Sequence, residues 1–460
     1  MRLLRSTLAC VATLAVVGLP DVGGAQDTHY WNSQYGPRAM LLGGAVIGAV
    51  GDMSATYYNP GALGYVENPE LLLSANVYQT QTLTIRDGAG EGIDLTASDF
   101  NILPNMLAGA FRKSWLGKNK FAYSLLTRYR YRAEVEGARL ARGDFLPAPG
   151  EEEFAGALAF SNEGNELWAG LTWSRGFGPQ AGLGVTQYLS FRNQSQVDRR
   201  FAQALPDSGD MALVFDVDNF SSTVYSLLWK VGIGFDLMPL TAGLTLTTPN
   251  VRLTGSGEAA LNTTIVELDI DDDGIPDDAF ETDIQTDVTA NYKTPLSVGV
   301  GAALHLTRTR ILASAEWFDG VGTYDVLELE SFVSQATGDT IQRSLRQKLD
   351  SVVNYAVGVE HRFGESLVGY LSFTSDFSAF NAESDVSRTG FDIYHVTGGG
   401  TFKVGRSNLT LGISYAWGSE KILQQIDLNP GEDDPVLDPS DEVELDFSRA
   451  TFIIGFSVAI

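Results

Sequence analysis

Cysteine is almost absent from this 460-residue sequence, which contains only Cys10. That residue lies in Met1–Ala25, which has the features of a secretory signal peptide. Arg2 and Arg5 precede a mostly apolar run, and Gly23-Gly24-Ala25 supplies small residues for cleavage. The mature chain would then contain no thiol, which excludes disulfide bonds and thiolate chemistry.

Basic charge is also scarce, because 31 Lys and Arg stand against 57 Asp and Glu and give a formal net charge of −26. This excludes the basic surface that binds nucleic acid, so we predict no nucleic-acid partner. No Ser-His-acid order or metal-ligand spacing stands out among the four scattered histidines, His29, His305, His361 and His395. We therefore predict that the protein is not an enzyme.

Long apolar runs are missing as well. No stretch of about 18 apolar residues follows the signal peptide, which excludes a membrane-spanning helix. The chain instead shows period-two alternation, with apolar residues on one face and small or polar residues on the other, in Leu296–Leu306, Val353–Phe363, Leu409–Gly418 and Thr451–Ile460. A secreted β-sandwich and a transmembrane β-barrel both show this pattern.

The lengths of the connections favour the barrel. Six short turns alternate with seven long polar stretches, which gives fourteen strands with both ends on the short-turn side. We therefore predict an all-β fold, a transmembrane antiparallel β-barrel of about 14 strands over residues 70–460. The predicted strands are 70–86, 104–115, 120–133, 166–175, 180–192, 222–236, 240–254, 288–306, 310–319, 351–363, 367–378, 391–404, 408–418 and 446–460.

The last predicted strand indicates the membrane. Its apolar residues alternate up to the final position, as Phe452, Ile454, Phe456, Val458 and Ile460. A terminal amphipathic strand resembles the signal that the barrel assembly machinery of the bacterial outer membrane reads. We predict a multi-pass outer-membrane barrel, with that machinery and outer-membrane lipid or lipopolysaccharide as partners.

Residues 26–69 differ from the strands that follow. Met40–Tyr65 is Gly-rich, apolar and uncharged except for Asp52, so it can pack compactly and turn sharply. The predicted inward faces of the strands carry mostly Gly, Ala, Ser and Thr, with few charges. Since a general porin lines its channel with charged and polar groups, this composition favours a hatch that plugs the lumen beside an apolar ligand.

The hatch resembles that of the FadL-type outer-membrane transporters of long-chain fatty acids and aromatic hydrocarbons. Gly61-Ala62 stands where Ala-Gly is usual, and the matching residues are Asp52, Ser54, Ala55, Asn59, Pro60 and Leu63. Thr245–Gly257 also resembles a stretch of that family. The resemblance implies passive uptake of a hydrophobic small-molecule ligand without a cofactor, gated by the hatch residues Asp52, Ser54, Asn59, Pro60 and Gly61.

The same resemblance implies a kink in the third strand that opens the barrel wall sideways, although no Gly or Pro marks one in Phe121–Arg132. In that strand Arg128, Arg130 and Arg132 alternate with two tyrosines. Alternation would place the arginines on one side and the tyrosines at the outer interface. The guanidinium groups would bind a fatty-acid carboxylate or a lipopolysaccharide phosphate, or alternatively pair with acidic loop residues.

One acidic segment resembles a calcium loop of the Asp-x-Asp-x-Asp-Gly kind. Its oxygen ligands would come from Asp269, Asp271, Asp273 and Asp277. Phe280 occupies the twelfth loop position, where Glu is usual. The segment is therefore predicted either as a structural Ca2+ site or as a solvated acidic loop.

Two other functions stay open at this point. The barrel could anchor a scaffold for surface secretion or protein binding, or it could be a porin for polar solutes. The contents of the lumen distinguish these functions from transport, because only a transporter needs an apolar route that runs from the loops to the hatch. An outer-membrane lipase would need a histidine and a serine side by side on the outer face of the barrel, which the sequence alone does not exclude.

Overall fold

The computed structural model describes residues 28–459 apart from 66–69, 112–117, 144–149, 208, 269–276, 387–388, 406, 425–426 and 429–440. The predicted signal peptide lies outside the described residues. The helices of the described part are α1 (Pro37–Leu41), α2 (Ala55–Tyr58) and a 3-10 helix (Ala62–Tyr65). None of them has the length and apolar character needed to span a membrane.

Strands make up most of the described chain. They are β1 (Glu70–Ile85), β2 (Leu95–Phe111), β3 (Asn119–Gly143), β4 (Glu152–Gly176), β5 (Ala181–Pro206), β6 (Ala212–Leu237), β7 (Leu240–Thr247), β8 (Val251–Leu268), β9 (Asp277–Thr289), β10 (Ser297–His305), β11 (Thr309–Phe318), β12 (Val321–Leu327), β13 (Phe332–Val333), β14 (Thr340–Ile341), β15 (Leu345–Leu349), β16 (Val352–Arg362), β17 (Leu367–Asp376), β18 (Ile393–Val404), β19 (Ser407–Leu423) and β20 (Glu442–Ala459).

Pairing of these strands closes a barrel. Within the described residues, sixteen strands form one sheet, and all of them except β8 and β9 make a ring of fourteen. Antiparallel pairing of β1 with β20 and of β5 with β6 closes the ring. The predicted 14-stranded antiparallel barrel is therefore confirmed. The pairs β12–β15 and β13–β14 are separate small sheets in the long connection between β11 and β16.

Four strands are at least ten residues longer than predicted. β3, β4, β5 and β6 have 25 or 26 residues each, although about 9–11 residues are enough to cross a bilayer. Their distal halves, 134–143, 152–165, 193–206 and 212–221, lie in stretches that the polar composition had predicted as loops. β8 and β9 join the sheet there, beside the distal half of β6. We call this six-stranded wall, formed by the distal halves of β3–β6 with β8 and β9, the extracellular extension.

Two predicted strands are divided, and a proline lies at each division. The predicted strand 240–254 breaks at Pro249 into β7, which stays in the ring, and β8, which belongs to the extracellular extension. The predicted strand 288–306 contains the end of β9, a linker with Pro295, and β10. Proline has no backbone N–H for a ladder hydrogen bond, which explains why pairing stops at these points.

The outer surface of the ring is apolar. Every one of its fourteen strands exposes at least one large apolar side chain, for example Leu73, Leu107, Leu125, Leu171, Leu189, Phe235, Leu244, Val300, Ile311, Val357, Leu371, Val396, Ile413 and Phe456. Such a band is unfavourable in water and suits the hydrocarbon layer of a membrane. A closed barrel with this band confirms the predicted outer-membrane architecture.

The N-terminal segment lies inside the ring and packs against strand glycines. A Cβ atom added to Gly61 would lie 2.4 Å from the carbonyl oxygen of Gly232, and one added to Gly48 would lie 2.4 Å from that of Gly301. The backbone of the hatch therefore touches the backbone of the barrel directly. This confirms the predicted hatch in the lumen and explains the small residues on the inward faces.

Candidate functional site

Asn59 joins the hatch to the barrel wall. Its amide nitrogen donates to the carbonyl oxygens of Ile47, in the hatch, and Ile233, in β6, at 3.0 Å each. Its side-chain oxygen accepts from the N–H of Gly61 at 3.0 Å. The side chain is fully buried, so all three bonds are shielded from water. Asn59 is therefore placed where a movement of the hatch would have to break contacts with the wall.

The other predicted hatch residues have local roles in the same segment. One carboxylate oxygen of Asp52 accepts from the N–H of Ser54 at 2.8 Å and from its hydroxyl at 2.5 Å, which fixes the turn before α2. A Cβ atom on Gly184 would lie 2.3 Å from the carbonyl oxygen of Pro60. Their part in gating stays a prediction.

The first described residues cross the lumen above the hatch, and we call residues 28–36 the strap. Polar side chains from four strands of the wall hold it at 2.8–2.9 Å: Arg128 donates to Tyr30, Asp376 and Glu316 accept from Trp31, and Arg449 donates to Asn32. These strands, β3, β11, β17 and β20, stand at separate places around the ring. The strap is therefore held from several sides and links the wall across the lumen.

A small cavity of about 50 Å³ lies between the hatch and the linker 290–296. A volume of this size has room for a few water molecules and not for a drug-sized ligand. Its lining is aromatic and charged, with His29, Tyr30, Tyr57, Arg128, Tyr129, Glu166, Trp168, Arg192, Leu228, Lys230, Thr247, Tyr292, Thr294, Pro295, Ser297, Glu316 and Phe318. The structure therefore shows a narrow site that a ligand would have to widen.

The charges around this cavity contradict the prediction of few inward charges. Three cations, Arg128, Arg192 and Lys230, stand against two carboxylates, Glu166 and Glu316, which leaves an excess of one positive charge. Burial of so many charges is tolerated because they are paired or lie over aromatic rings. The members of each pair come from separate strands, so neighbouring residues in the sequence did not predict which charges are paired.

Glu166 organises one side of the cavity. Its Oε1 atom accepts from the Trp168 indole at 2.6 Å and from the Ser190 hydroxyl at 2.7 Å. Its Oε2 atom lies 3.4 Å from both Arg192 and the hydroxyl of Tyr292. Arg192 also stacks on Tyr292, with the guanidinium carbon 4.0 Å from the ring centre. A single carboxylate thus orients groups from β4, β5 and the linker.

A β-bulge changes the orientation of the predicted arginine cluster. Thr127 pairs with Leu167 and Tyr129 pairs with Glu166, so Arg128 is an extra residue in β3. Side-chain alternation reverses at this point. Tyr129 is therefore buried in the lumen, where the sequence analysis placed it at the outer interface. Arg128 contacts the strap and lies over Trp168 at 5.6 Å.

The bulge also separates the three arginines. After the bulge, Arg130 and Arg132 lie on the outer side of β3 and are exposed, whereas Tyr131 is buried. Arg132 forms salt bridges with Glu134 at 2.7 Å and Glu163 at 2.9 Å, which is the acidic pairing given as the alternative. Only Arg128 reaches the cavity, and the prediction that the three share one face is wrong.

The barrel wall is interrupted next to this bulge. In the described residues, β2 pairs with β3 only from Met106–Leu126 to Phe111–Phe121, although both strands continue. The strap covers the inner side of the interruption: Asn105 donates to the Gln34 carbonyl at 3.1 Å, and the Tyr35 hydroxyl donates to the Arg128 carbonyl at 3.2 Å. An irregular third strand is thus present, produced by a bulge and without Gly or Pro.

The structure gives no geometry for the predicted calcium ligands. Asp269, Asp271 and Asp273 lie outside the described residues, and Asp277 begins β9. Among the residues that are described, no group of three His, Cys, Asp or Glu side chains is arranged to hold a metal ion. The calcium site therefore stays a prediction for 269–277.

Comparison with known proteins adds information at the level of structure. The sequence matches no protein-family model and no curated protein. The toluene transporter TodX of Pseudomonas putida aligns with 94% of this chain and 100% of its own, with a TM-score of 0.55 and 13% identity. This chain has the fold of the FadL-type transporters. A FadL homologue of Pseudomonas aeruginosa gives a TM-score of 0.58 at 11% identity, over 94% of this chain and 99% of that one.

A third structure supports the same assignment of the FadL-type fold. The toluene transporter TbuX of Ralstonia pickettii covers 93% of this chain and 98% of its own, with a TM-score of 0.54 and 12% identity. Sequence reasoning found the hatch and Arg128 but missed the rest of the cavity, including Glu166, Arg192, Lys230 and Glu316. A signal for them was present: each is a charged residue on the inward face of an alternating strand.

Proposed function

We propose that this protein takes up hydrophobic compounds passively through the outer membrane, with long-chain fatty acids or aromatic hydrocarbons as ligands. The observation that carries the proposal is a lumen closed by a hatch, beside a barrel wall that is interrupted between β2 and β3. A closed lumen does not conduct water-soluble molecules freely. The interruption lies beside exposed apolar side chains of β2, Leu107 and Phe100, where a hydrophobic molecule would pass from lumen to lipid.

An apolar surface above the cavity supports the same route. The inward faces of the distal halves of β3 and β4 are lined by buried Val135, Phe154, Leu158 and Phe160. They belong to a cluster separate from the one around the hatch. These side chains are packed together and are 1–4% exposed, so a hydrophobic ligand would have to part them. It would leave water there and reach the cavity next, with apolar contact along most of the path.

The charge of the cavity favours a ligand with an anionic end. Arg128, Arg192 and Lys230 exceed the acidic residues by one, and Lys230 already lies 3.6 Å from Glu316. A carboxylate at the cavity would neutralise the excess and accept from guanidinium groups, whereas a neutral aromatic hydrocarbon would not. Fatty acids are therefore favoured over toluene, the ligand named for two of the structural neighbours.

The proposal is tested by reconstitution in liposomes. Labelled long-chain fatty acid and toluene are supplied outside, and swelling in sugar solutions measures polar permeation. We expect saturable fatty-acid uptake, weaker toluene uptake and no swelling. Swelling without hydrophobe uptake would support a polar-solute porin and contradict the proposal.

One observation favours a second function, a scaffold for protein binding at the cell surface. The extracellular extension exposes large apolar side chains far from the membrane band, including Leu140, Phe215, Phe280 and Ile284. Exposed apolar patches of this kind mark protein contacts. Transport without any surface partner would leave these side chains unexplained, and a protein captured by the extension in the absence of uptake would favour the scaffold.

A further inference from the structure

The long connection 319–351 folds over the lumen on the side of the long loops. Its base, formed by β12 and β15, is apolar: Val321, Tyr324, Leu327 and Leu349 are buried in the same cluster as the hatch. The base is tied to the linker that roofs the cavity, since the N–H of Asn291 donates to the carbonyl oxygen of Val326 at 2.8 Å. This half of the connection is thus part of the core.

The outer half, residues 328–343, is held differently. It meets β9 through polar contacts: the N–H of Glu330 donates to Gln285 at 2.8 Å, and the N–H of Thr282 donates to Gln335 at 2.7 Å. Val333, in β13, is 58% exposed. Hydrogen bonds contribute less net free energy than the apolar burial that holds the base, so this half is the weaker one.

Arg343 makes an attachment that reaches three strands of the extracellular extension. Its guanidinium pairs with Asp218 of β6, lies 3.5 Å from Asp283 of β9, and donates to the carbonyl oxygen of Ala260 in β8 at 3.3 Å. The arginine side chain is 9% exposed. Burial raises the pKa of the Asp218 carboxyl, whereas Arg343 lowers it, so the charged form of this carboxyl depends on the guanidinium.

Other charged groups face the same site from the neighbouring strands. β5 contributes a pair formed by Asp198 and Arg200, and the Asp216 carboxylate of β6 accepts from the Thr263 hydroxyl at 2.6 Å. The four aspartates and two arginines of the site leave two negative charges in excess. Removing Arg343 would leave buried Asp283 and half-buried Asp218 without their cation, which is costly for the buried group.

From these contacts we infer that residues 328–343 form a lid over the extracellular mouth of the lumen, with Arg343 as its latch. The lid swings on the apolar base and opens when the contacts to β6, β8 and β9 break. The existence of the lid does not depend on the proposed uptake function. Only the identity of the molecule that passes beneath the lid rests on that function.

The lid is tested with a thiol probe, because the predicted mature chain contains no cysteine. Ala259, in β8 beneath the lid, is 1% exposed. In an Ala259→Cys background, Arg343→Gln should raise the rate of labelling by a membrane-impermeant maleimide at least about tenfold. Arg346→Gln is the matched control, since this arginine of the same connection forms an exposed pair with Asp385 at 3.1 Å and should leave the rate unchanged.

Equal labelling rates of Arg343→Gln and its Ala259→Cys parent would overturn the lid. An equal rise in the labelling rate of Arg343→Gln and Arg346→Gln would overturn it too. If Arg343→Gln does not assemble, Arg343→Lys replaces it. Lysine keeps the positive charge but loses the planar set of donors of the guanidinium, so it should give a smaller rise in the labelling rate. A second experiment joins Glu281→Cys and Ser334→Cys, whose native side chains are in contact, with a short bis-maleimide.

Cross-linking should lower fatty-acid uptake in liposomes, while the same double variant without cross-linker remains active. Uptake that persists after cross-linking would refute the lid and leave the proposed function standing. If the unmodified protein takes up no hydrophobe, the proposed function fails, and the labelling experiment still decides whether the lid exists.

Discussion

Replacing Asn59 by alanine should loosen the hatch without disrupting the barrel. The change removes three buried hydrogen bonds, to Ile47, Ile233 and Gly61, each of 3.0 Å. At about 1 kcal/mol net for each bond, the loss is about 3 kcal/mol. Only the bond to Ile233 joins the hatch to the wall, because Ile47 and Gly61 belong to the hatch, so we assign about 1 kcal/mol of this loss to the equilibrium between the closed and the displaced hatch. The displaced population should then rise about fivefold.

Hydrogen exchange measures this population directly. Amides of residues 55–65 should exchange about fivefold faster in Asn59→Ala, and planar-bilayer recordings should show more frequent transient openings. Asn381→Ala is the matched control, because Asn381 lies in a loop and donates to Asp350 at 2.8 Å in an exposed position. Unchanged exchange in 55–65, with a properly assembled barrel, would refute the idea that Asn59 fastens the hatch.

Three further predictions concern other parts of the chain. Gly232→Val should displace the hatch and raise conductance, since a Cβ atom there would lie 2.3 Å from the Asn59 side chain, whereas Gly322→Val, which meets nothing within 4 Å, should not. Arg128→Gln should weaken fatty-acid binding about tenfold or more, measured by fluorescence displacement, and exposed Arg130→Gln should leave it unchanged. Calcium should raise the protease resistance of 269–287, and equal cleavage rates with chelator would leave that segment a solvated acidic loop.

The fold was predictable from sequence because alternation depends on local composition. Each ring strand needs one apolar face toward lipid, and this requirement is visible in any single segment, such as Leu409–Gly418. The hatch was predictable for a related reason. Strand glycines such as Gly232 and Gly301 are unfavourable for β-structure unless another backbone lies against them.

The orientation of the arginines was not predictable in the same way. A bulge at Arg128 adds one residue to β3 and exchanges the two faces of everything that follows, so that Tyr129 turns inward. Nothing in the local composition marks it, because the bulge is stabilised by contacts with Tyr30 and Trp168, which are distant in sequence. The pairing of Glu166 with Arg192 was hidden for the same reason.

The close fit between hatch and strand glycines has a consequence for biogenesis. A ring already sealed would leave no passage wide enough to admit a folded plug, since the two backbones are in direct contact at Gly61 and Gly232. The seam between β1 and β20 joins strands more than 350 residues apart, and such distant partners are expected to meet last. The hatch must therefore enter the lumen before β1 and β20 pair. The strand glycines thus constrain the order of assembly as well as the final fit.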